Sequence, residues 1–174
     1  LIALALGVAC AMFLVTFQNL PQIEKLQDYK PKGITVLLDK NNQKAHEYFQ
    51  ERRIVLSNTE IPDLTKKAFL AAEDWQFYDH MGIDIQGIFR AMITNLLRRS
   101  FSQGASTITQ QLSRNLFLSH KKTIQRKLKE VLLTLRIERK FTKEEILTLY
   151  LNQIYLGEGT YGIEQAALLY FGKN

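Results

Sequence analysis

The first feature of the chain is an apolar run at its start. Residues 1–17 carry no charged side chain, and the sequence begins inside this run without an initiator Met. A helix needs roughly 20 apolar residues to span a bilayer. We therefore predict that residues 1–18 are an uncleaved, single-span membrane anchor whose start is missing. The alternative is the core of a signal peptide, but no small-x-small cleavage pattern follows the run.

A more polar and locally extended stretch runs from residue 19 to residue 58. Residues 34–38 combine three β-branched residues with two leucines, residues 39–43 have the composition of a turn, and residues 44–49 can return as a second strand. Residues 53–56 are a candidate third strand. We predict a small β-containing collar between the membrane and the body of the protein, with no chemistry of its own.

Apolar side chains recur at helical spacing from residue 61 onward. The first helix should begin near Pro62 and end near Glu73 and Asp74. A second is predicted over residues 85–96, a third after a cap at Ser106 or Thr107, and a fourth over residues 123–139. The core stripe of the fourth helix is predicted to be Ile124, Leu128, Val131, Leu132 and Leu135.

Two more helices complete the pattern. Thr142 and Glu145 have the spacing of a capping box, which indicates a helix start. The glycine-rich residues 157–162 indicate a backbone turn rather than a phosphate-binding loop, because no strand precedes them in the spacing of such a loop. A last helix is predicted over residues 163–170. The sequence thus predicts a mainly α domain over residues 59–174.

Composition narrows the class of protein. The 174 residues are 46% hydrophobic and 23% charged, which suits one globular domain with a real core and not a disordered chain. The formal net charge is +6, with a sequence pI near 9.4, so anionic partners are favoured: nucleic acid, lipid headgroups or phosphorylated substrates. The single cysteine, Cys10, excludes a disulfide framework.

Two carboxylates are candidates for chemistry. Glu73 ends an apolar helix, where it is either a structural ion-pair or capping residue, or a base facing a cleft. Glu130 follows Arg126 by four residues and Lys127 by three, so both cations can lie beside it on one helical face. That group is either a solvated salt-bridged surface or a cationic strip for a pyrophosphate, with Glu130 tuning the strip or helping to bind a divalent metal.

A cluster of hydroxyl and amide side chains follows Gly104. It is either one helix cap with an exposed polar face, or a set of ligands for sugar hydroxyls and phosphate oxygens; its members are Ser106, Thr107, Thr109, Gln110 and Gln111. His80 precedes Gly82 at a predicted helix end, where we predict a structural hydrogen bond rather than proton transfer.

Taken together, these motifs resemble the family 51 glycosyltransferases, the peptidoglycan glycosyltransferase module of class A penicillin-binding proteins and monofunctional transglycosylases. The resemblance covers residue 61 to the C-terminus. It rests on Glu73-Asp74-x-x-Phe77-x-x-His80-x-Gly82, Gly104-x-Ser106-Thr107-Ile108-Thr109-Gln110-Gln111, Arg126-Lys127-x-x-Glu130 and Ile146-x-x-x-Tyr150-Leu151-Asn152. The turn at residues 157–162 with Glu164, and Tyr170-Phe171-Gly172-Lys173, match as well.

The resemblance implies a lysozyme-like helical fold and an enzyme that polymerises lipid II on the outer face of the cytoplasmic membrane. The implied partners are lipid II, the growing glycan strand and other cell-wall synthesis proteins. It implies that Glu73 is the general base, with partial burial to tune it. Glu130 would assist the leaving pyrophosphate, with Mg²⁺ as an optional cofactor. The candidate substrate-binding residues are Asp74, Arg90, Ser106, Thr107, Gln110, Gln111, Arg114, Lys122, Arg126, Lys127 and Lys129.

Some positions depart from the family pattern. Arg114 and Lys122 exchange the expected cations, Trp75 replaces a usually basic residue, and the family domain normally continues past this C-terminus. We therefore expect that the chain is truncated at both ends. Two other functions stay open: a lytic transglycosylase or muramidase on a similar fold, and a catalytically silent scaffold tethered to the membrane. Nucleic-acid binding is disfavoured by the anchor.

Overall fold

The structure, a computed structural model, describes residues 20–21, 23, 26, 35–48, 53–98, 104–119, 121 and 123–173. These residues form a small two-stranded sheet followed by six helices, so the predicted mainly α class is confirmed. The strands are β1 (Thr35–Leu38) and β2 (Lys44–Tyr48); the helices are α1 (Asp63–Glu73), α2 (Ile85–Arg98), α3 (Ile108–Phe117), α4 (Ile124–Lys140), α5 (Lys143–Gln153) and α6 (Ile163–Phe171).

The predicted hairpin is present. β1 and β2 are antiparallel, with Thr35 opposite Tyr48. Asp39 closes the turn, because its Oδ1 accepts hydrogen bonds from the backbone N–H groups of Asn41, at 2.7 Å, and Gln43, at 2.9 Å. All four residues of β1 are exposed, so within the described residues the hairpin stands clear of the helical core.

The predicted third strand at residues 53–56 is wrong. These residues have no regular secondary structure and pair with no strand among those described. They are held instead by the side chain of Asn152 on α5. Asn152 Oδ1 accepts from Leu56 N–H at 2.9 Å and its Nδ2 donates to the Leu56 carbonyl at 2.9 Å. The amide thus imitates the two backbone bonds that a neighbouring strand would supply.

The core lies where α3, α4 and α5 meet. It is filled by side chains that are essentially inaccessible to water: Phe77, Leu112, Leu133, Ile137, Ile146, Leu147, Tyr150 and Leu151. Two of the helices that form this core, α3 and α5, begin with a capping box. Thr107 and Gln110 cap α3, and Thr142 and Glu145 cap α5 as their spacing predicts.

The buried face of α4 differs from the predicted one. Ile124 is 84% exposed, and the other predicted core residues, Leu128, Val131, Leu132 and Leu135, are only half-buried. The residues that are fully buried are Glu130, Leu133, Thr134 and Ile137. A search for apolar spacing misses this face, because half of its members are polar groups that carry their own partners.

Apolar side chains on α2 face outward. Among the large ones, Phe89 is 57% exposed, Met92 is 58% exposed and Leu96 is 77% exposed, and Ile85, Ile88, Ile93 and Leu97 are also exposed. A contiguous apolar surface of this kind marks an interaction site in a soluble domain.

No helix that the structure describes combines the length and apolar content needed to cross a membrane. The predicted anchor, residues 1–18, lies outside the described residues.

Candidate active site

Glu73 lies at the end of α1, on the edge of a cavity of about 560 Å³. The cavity is walled by the C-terminal end of α1, the first half of α2 and the segment before α3. Its polar lining comes from Glu73, Asp74, Asp84, Arg90, Ser106 and Thr107, and Trp75 adds an aromatic surface. The structure thus brings together several candidate residues from separate motifs.

The Glu73 carboxylate is exposed, so the partial burial expected of it is not found. Because Glu73 is the last residue of α1, its side chain extends into solvent instead of packing between helices. Gln111 on α3 holds it: Gln111 Nε2 donates to Glu73 Oε2 at 2.9 Å. The carboxylate is therefore open to a ligand on one side and oriented on the other.

Asp74, the next residue, is buried and fully engaged. Its Oδ1 lies 3.0 Å from His80 Nε2, and its Oδ2 accepts from Ile108 N–H at 3.0 Å. Gly82 N–H donates to His80 Nδ1 at 3.0 Å, so the ring proton lies on Nε2 and points at Asp74. The structural hydrogen bond predicted for His80 is confirmed, and Asp74 fastens residues 74–82 to the start of α3.

The polar cluster after Gly104 divides into two groups. Thr107 and Gln110 are each 2% exposed and form the capping box of α3, while Thr107 Oγ1 also donates to the Gly82 carbonyl at 2.6 Å. Gln110 thus holds the helix start and is not among the residues that line the cavity. Ser106 lines the cavity, and its Oγ lies 3.4 Å from Lys127 Nζ.

Glu130 is fully buried on α4, with a cation on each oxygen. Arg126 Nη1 lies 2.7 Å from Oε2 and Lys127 Nζ lies 2.5 Å from Oε1. The predicted side-by-side arrangement is therefore confirmed. Glu130 itself is not among the cavity's lining residues; its partner Lys127 connects it to the lining residue Ser106.

The other candidate cations are spread over three elements. Arg90 lines the cavity, lies 3.6 Å from Asp84 Oδ2, and stacks over Trp75 at 5.4 Å from the ring centroid. Arg114 and Lys129 are half-buried on α3 and α4 and are not among the cavity's lining residues. Lys122 lies outside the described residues.

Sequence reasoning assigned no role to two residues of this region. Trp75 forms part of the cavity wall and packs against Arg90. Tyr150 lies behind the cavity, where its hydroxyl reaches Gln111 Oε1 at 3.4 Å. A signal for Tyr150 is present in the sequence, because a hydroxyl stands in an otherwise apolar helical stripe with Ile146 and Leu147, and a buried phenol needs a polar partner.

The exposed Glu73 carboxylate and the Arg90 guanidinium line one open cavity in a helical domain, and Lys127 Nζ lies 3.4 Å from the Oγ of the lining residue Ser106. That arrangement defines a class of site suited to proton abstraction coupled to departure of an anionic group. The family model described as Transglycosylase matches residues 40–174. The chain belongs to this family, glycosyltransferase family 51, as the motifs predicted.

Relatives agree with the family assignment. The chain is 44% identical over 174 residues to penicillin-binding protein 1A of Aquifex aeolicus, covering 99% of this chain and 24% of that protein. It is 42% identical over 168 residues to penicillin-binding protein 1A of Neisseria flavescens, covering 97% of this chain and 21% of that protein. The chain thus spans less than a quarter of the length of these curated relatives. The predicted enzyme class, peptidoglycan glycosyltransferase, is confirmed at the level of the family.

Proposed function

We propose that this chain polymerises lipid II into β-1,4-linked glycan strands and releases undecaprenyl pyrophosphate with inversion. In this reaction the acceptor sugar's 4-hydroxyl loses its proton to Glu73 and its oxygen bonds to the anomeric carbon of the donor. The bond from that carbon to the pyrophosphate oxygen breaks, and its electron pair leaves with the pyrophosphate. The observation that carries the proposal is the exposed Glu73 carboxylate on a cavity that also presents Arg90 and the Ser106–Lys127 pair.

Glu73 is the better candidate for the base of the two adjacent acids. A base must reach the proton it abstracts, and Glu73 is open to the cavity while a hydrogen bond from Gln111 Nε2 holds its carboxylate. Asp74 is 6% exposed and accepts bonds from His80 and Ile108 N–H. We assign Asp74 a role in holding the site together.

The cations beside Glu130 suit the donor's pyrophosphate. Glu130 holds Arg126 and Lys127 side by side, and Lys127 extends from there to Ser106 at the cavity. The Lys127 side chain is 46% exposed and that of Arg126 is 15% exposed, so Lys127 is the more accessible of the two cations to an incoming anion. Such donors stabilise the charge that grows on the leaving group. The other proposed contacts to substrate are Arg90, Gln111, Arg114, Lys122 and Lys129.

Among the described residues, Glu130, the candidate metal ligand, does not fit a Mg²⁺ ion in this arrangement. Magnesium prefers free carboxylate oxygens and water, but both oxygens of Glu130 are occupied by cations. Within the described part of the chain, no group of three or more His, Cys, Asp or Glu side chains could hold a metal. We derive no step through a metal ion.

We further propose that the protein works on the outer face of the cytoplasmic membrane, where residues 1–18 anchor it, residues 19–58 form a collar and residues 59–174 form a lysozyme-like domain. The exposed apolar surface of α2 supports this placement, because a lipid-linked substrate has to be reached at a bilayer. The growing glycan strand and other cell-wall synthesis proteins are the proposed partners.

The full-length protein tests the proposal when it is assayed with lipid II in detergent or vesicles. The unmodified enzyme should form long glycan, and Glu73→Gln should lower kcat by about 100-fold or more, the usual contribution of a general base. Glu60→Gln, which changes an exposed acid outside the cavity, is the matched control. Breakdown of existing glycan without polymerisation would identify a lytic enzyme instead, and no reaction by the unmodified protein would leave a scaffold. An unchanged rate of polymerisation in Glu73→Gln would show that Glu73 is not the base.

A further inference from the structure

Tyr150 is a core residue with a polar group directed at the site. It lies on α5, is fully buried, and packs within the core formed by α3, α4 and α5. Its hydroxyl lies 3.4 Å from Gln111 Oε1 on α3. Because a buried phenol seeks a hydrogen-bond partner, this contact links the core to the Gln111 amide.

The Gln111 amide connects Tyr150 to Glu73. Its carbonyl oxygen faces the phenol, and its Nε2 donates to Glu73 Oε2 at 2.9 Å. Among the described residues, this is the one hydrogen bond that the Glu73 side chain receives. If the amide were reversed, its oxygen would face the carboxylate, and two acceptors would repel each other.

We propose that Tyr150 is a positioning residue for the reaction: its hydroxyl orients the Gln111 amide so that the NH₂ group holds Glu73 in place. This inference rests on the proposed function, in which Glu73 is the base. Tyr150 touches no reacting atom. It acts through Gln111, and the relay runs from a rigid helix core to an exposed carboxylate that is otherwise free to rotate.

The surroundings of Tyr150 favour the protonated phenol, which is the form that can donate a hydrogen bond to Gln111. Burial is the largest cause that raises the pKa of Tyr150, and the nearby Glu73 carboxylate raises it further. Arg114 opposes this shift and Asp74 adds to it. The hydroxyl therefore keeps its proton at pH values where an ordinary phenol would begin to lose it, and it can donate to Gln111.

A double-mutant cycle in the full-length enzyme tests the relay. Tyr150→Phe keeps the ring and removes the hydroxyl, so kcat should fall by about threefold to tenfold, the worth of one hydrogen bond, while KM for lipid II stays unchanged. In a Gln111→Ala background the same change should have no further effect on kcat. Tyr170→Phe is the control, because it removes a hydroxyl that donates to the Leu156 carbonyl at 3.0 Å, outside the cavity.

A second variant guards against a merely structural effect. Tyr150→4-aminophenylalanine keeps a hydrogen-bond donor at the same place and should restore kcat toward the unmodified value, whereas a packing defect would not be restored by a donor. Thermal unfolding of each variant accompanies the assays.

Three results would overturn the inference while leaving the proposed function intact: an unmodified kcat in Tyr150→Phe, an equal loss of kcat in both backgrounds, or no rescue by the amino variant. Failure of the proposed function gives a different pattern. In that case the unmodified protein makes no glycan, or Glu73→Gln stays active.

Discussion

At the scale of single residues, the two acids of the site differ in almost every physical respect. Glu73 is exposed and receives a neutral hydrogen bond from Gln111. Glu130 is fully buried and paired with Arg126 and Lys127. The Glu73 carboxylate is within reach of a substrate, whereas the Glu130 carboxylate is enclosed and held by two cations. These environments fit the roles proposed for the two residues, a base at Glu73 and a support for the cations at Glu130.

The burial of Glu130 and its two ion pairs predicts a large effect of this residue on stability. Glu130→Gln removes the partner of Arg126, whose side chain is only 15% exposed, so a buried cation loses its counter-charge. We expect the free energy of unfolding to fall by about 3 kcal/mol, as for other broken buried pairs. Urea denaturation followed by circular dichroism measures it. Glu158→Gln, the same change in an exposed turn, should cost almost nothing, and equal costs for the two variants would contradict the buried pair.

At the scale of elements, the segment between α1 and α2 decides where Glu73 lies. Residues 74–82 are tied to α3 by the contacts of Asp74 with Ile108 N–H and of Thr107 with the Gly82 carbonyl. Lys143 at the start of α5 adds a third tie, because its Nζ donates to the His80 carbonyl at 2.7 Å. The end of α1 is therefore fixed against two other helices.

Gly82 lets this segment pass close to α4. Its φ is +86°, and a Cβ there would lie 2.6 Å from Thr134 Cγ2 and 2.7 Å from Glu138 Cγ. Gly159 has a φ of +69° with nothing within 4 Å of a Cβ, so it is the matched control. Gly159→Ala should lower the free energy of unfolding by about 1 kcal/mol, because alanine is strained in the left-handed backbone conformation. Gly82→Ala should lower it by about 2 kcal/mol more, because the added Cβ overlaps α4, and it should also lower kcat.

Thermal or urea unfolding of both glycine variants separates the two costs. Equal destabilisation would show that the close approach to α4 contributes nothing. A loss of stability in Gly82→Ala with unmodified kcat would show that residues 74–82 do not control Glu73.

The sequence was sufficient to predict where most of the helices lie, but it did not predict which face of α4 is buried. The starts of α3 and α5 follow from local capping boxes, whose partners are three residues apart. The buried face of α4 depends on Glu130 and Thr134 finding partners, some of them on other helices, which no local pattern encodes. The hydrogen bond from Leu56 N–H to Asn152 joins residues that are 96 positions apart. Because no local pattern reveals this contact, residues 53–56 were interpreted as a strand.

At the scale of the whole molecule, the site is assembled at the edge of the core. α1 supplies Glu73, α3 supplies Gln111, α4 supplies the cation pair, and α5 supplies Tyr150 from behind. Residues that are remote in the sequence thus meet only when the helices pack. The motifs predicted which residues belong to the site, but not the hydrogen bonds that link Tyr150, Gln111 and Glu73. Stability and site geometry should therefore respond together to conditions that disturb the core.

High pH is such a condition. The raised pKa of Tyr150 means that the folded protein keeps the phenol protonated while the unfolded chain ionises it near the ordinary value of 10.0. The unfolded state then binds fewer protons, so stability falls as the pH rises. The contribution of the protonated Tyr150 phenol to the free energy of unfolding is fully present below pH 10.0 and declines above it. The pKa of Tyr78 is also raised, chiefly by burial, and its ionisation acts in the same direction.

The free energy of unfolding, measured in urea from pH 7 to pH 11.5, isolates the part due to Tyr150. Above pH 10 the unmodified protein should lose up to about 1.4 kcal/mol per pH unit more than Tyr150→Phe, because one proton separates the two states of the phenol. Tyr170→Phe should follow the unmodified curve. Parallel curves for the unmodified protein and Tyr150→Phe would mean that the phenol ionises as readily in the core as in the unfolded chain, and would remove the electrostatic support for the link between Tyr150 and Glu73.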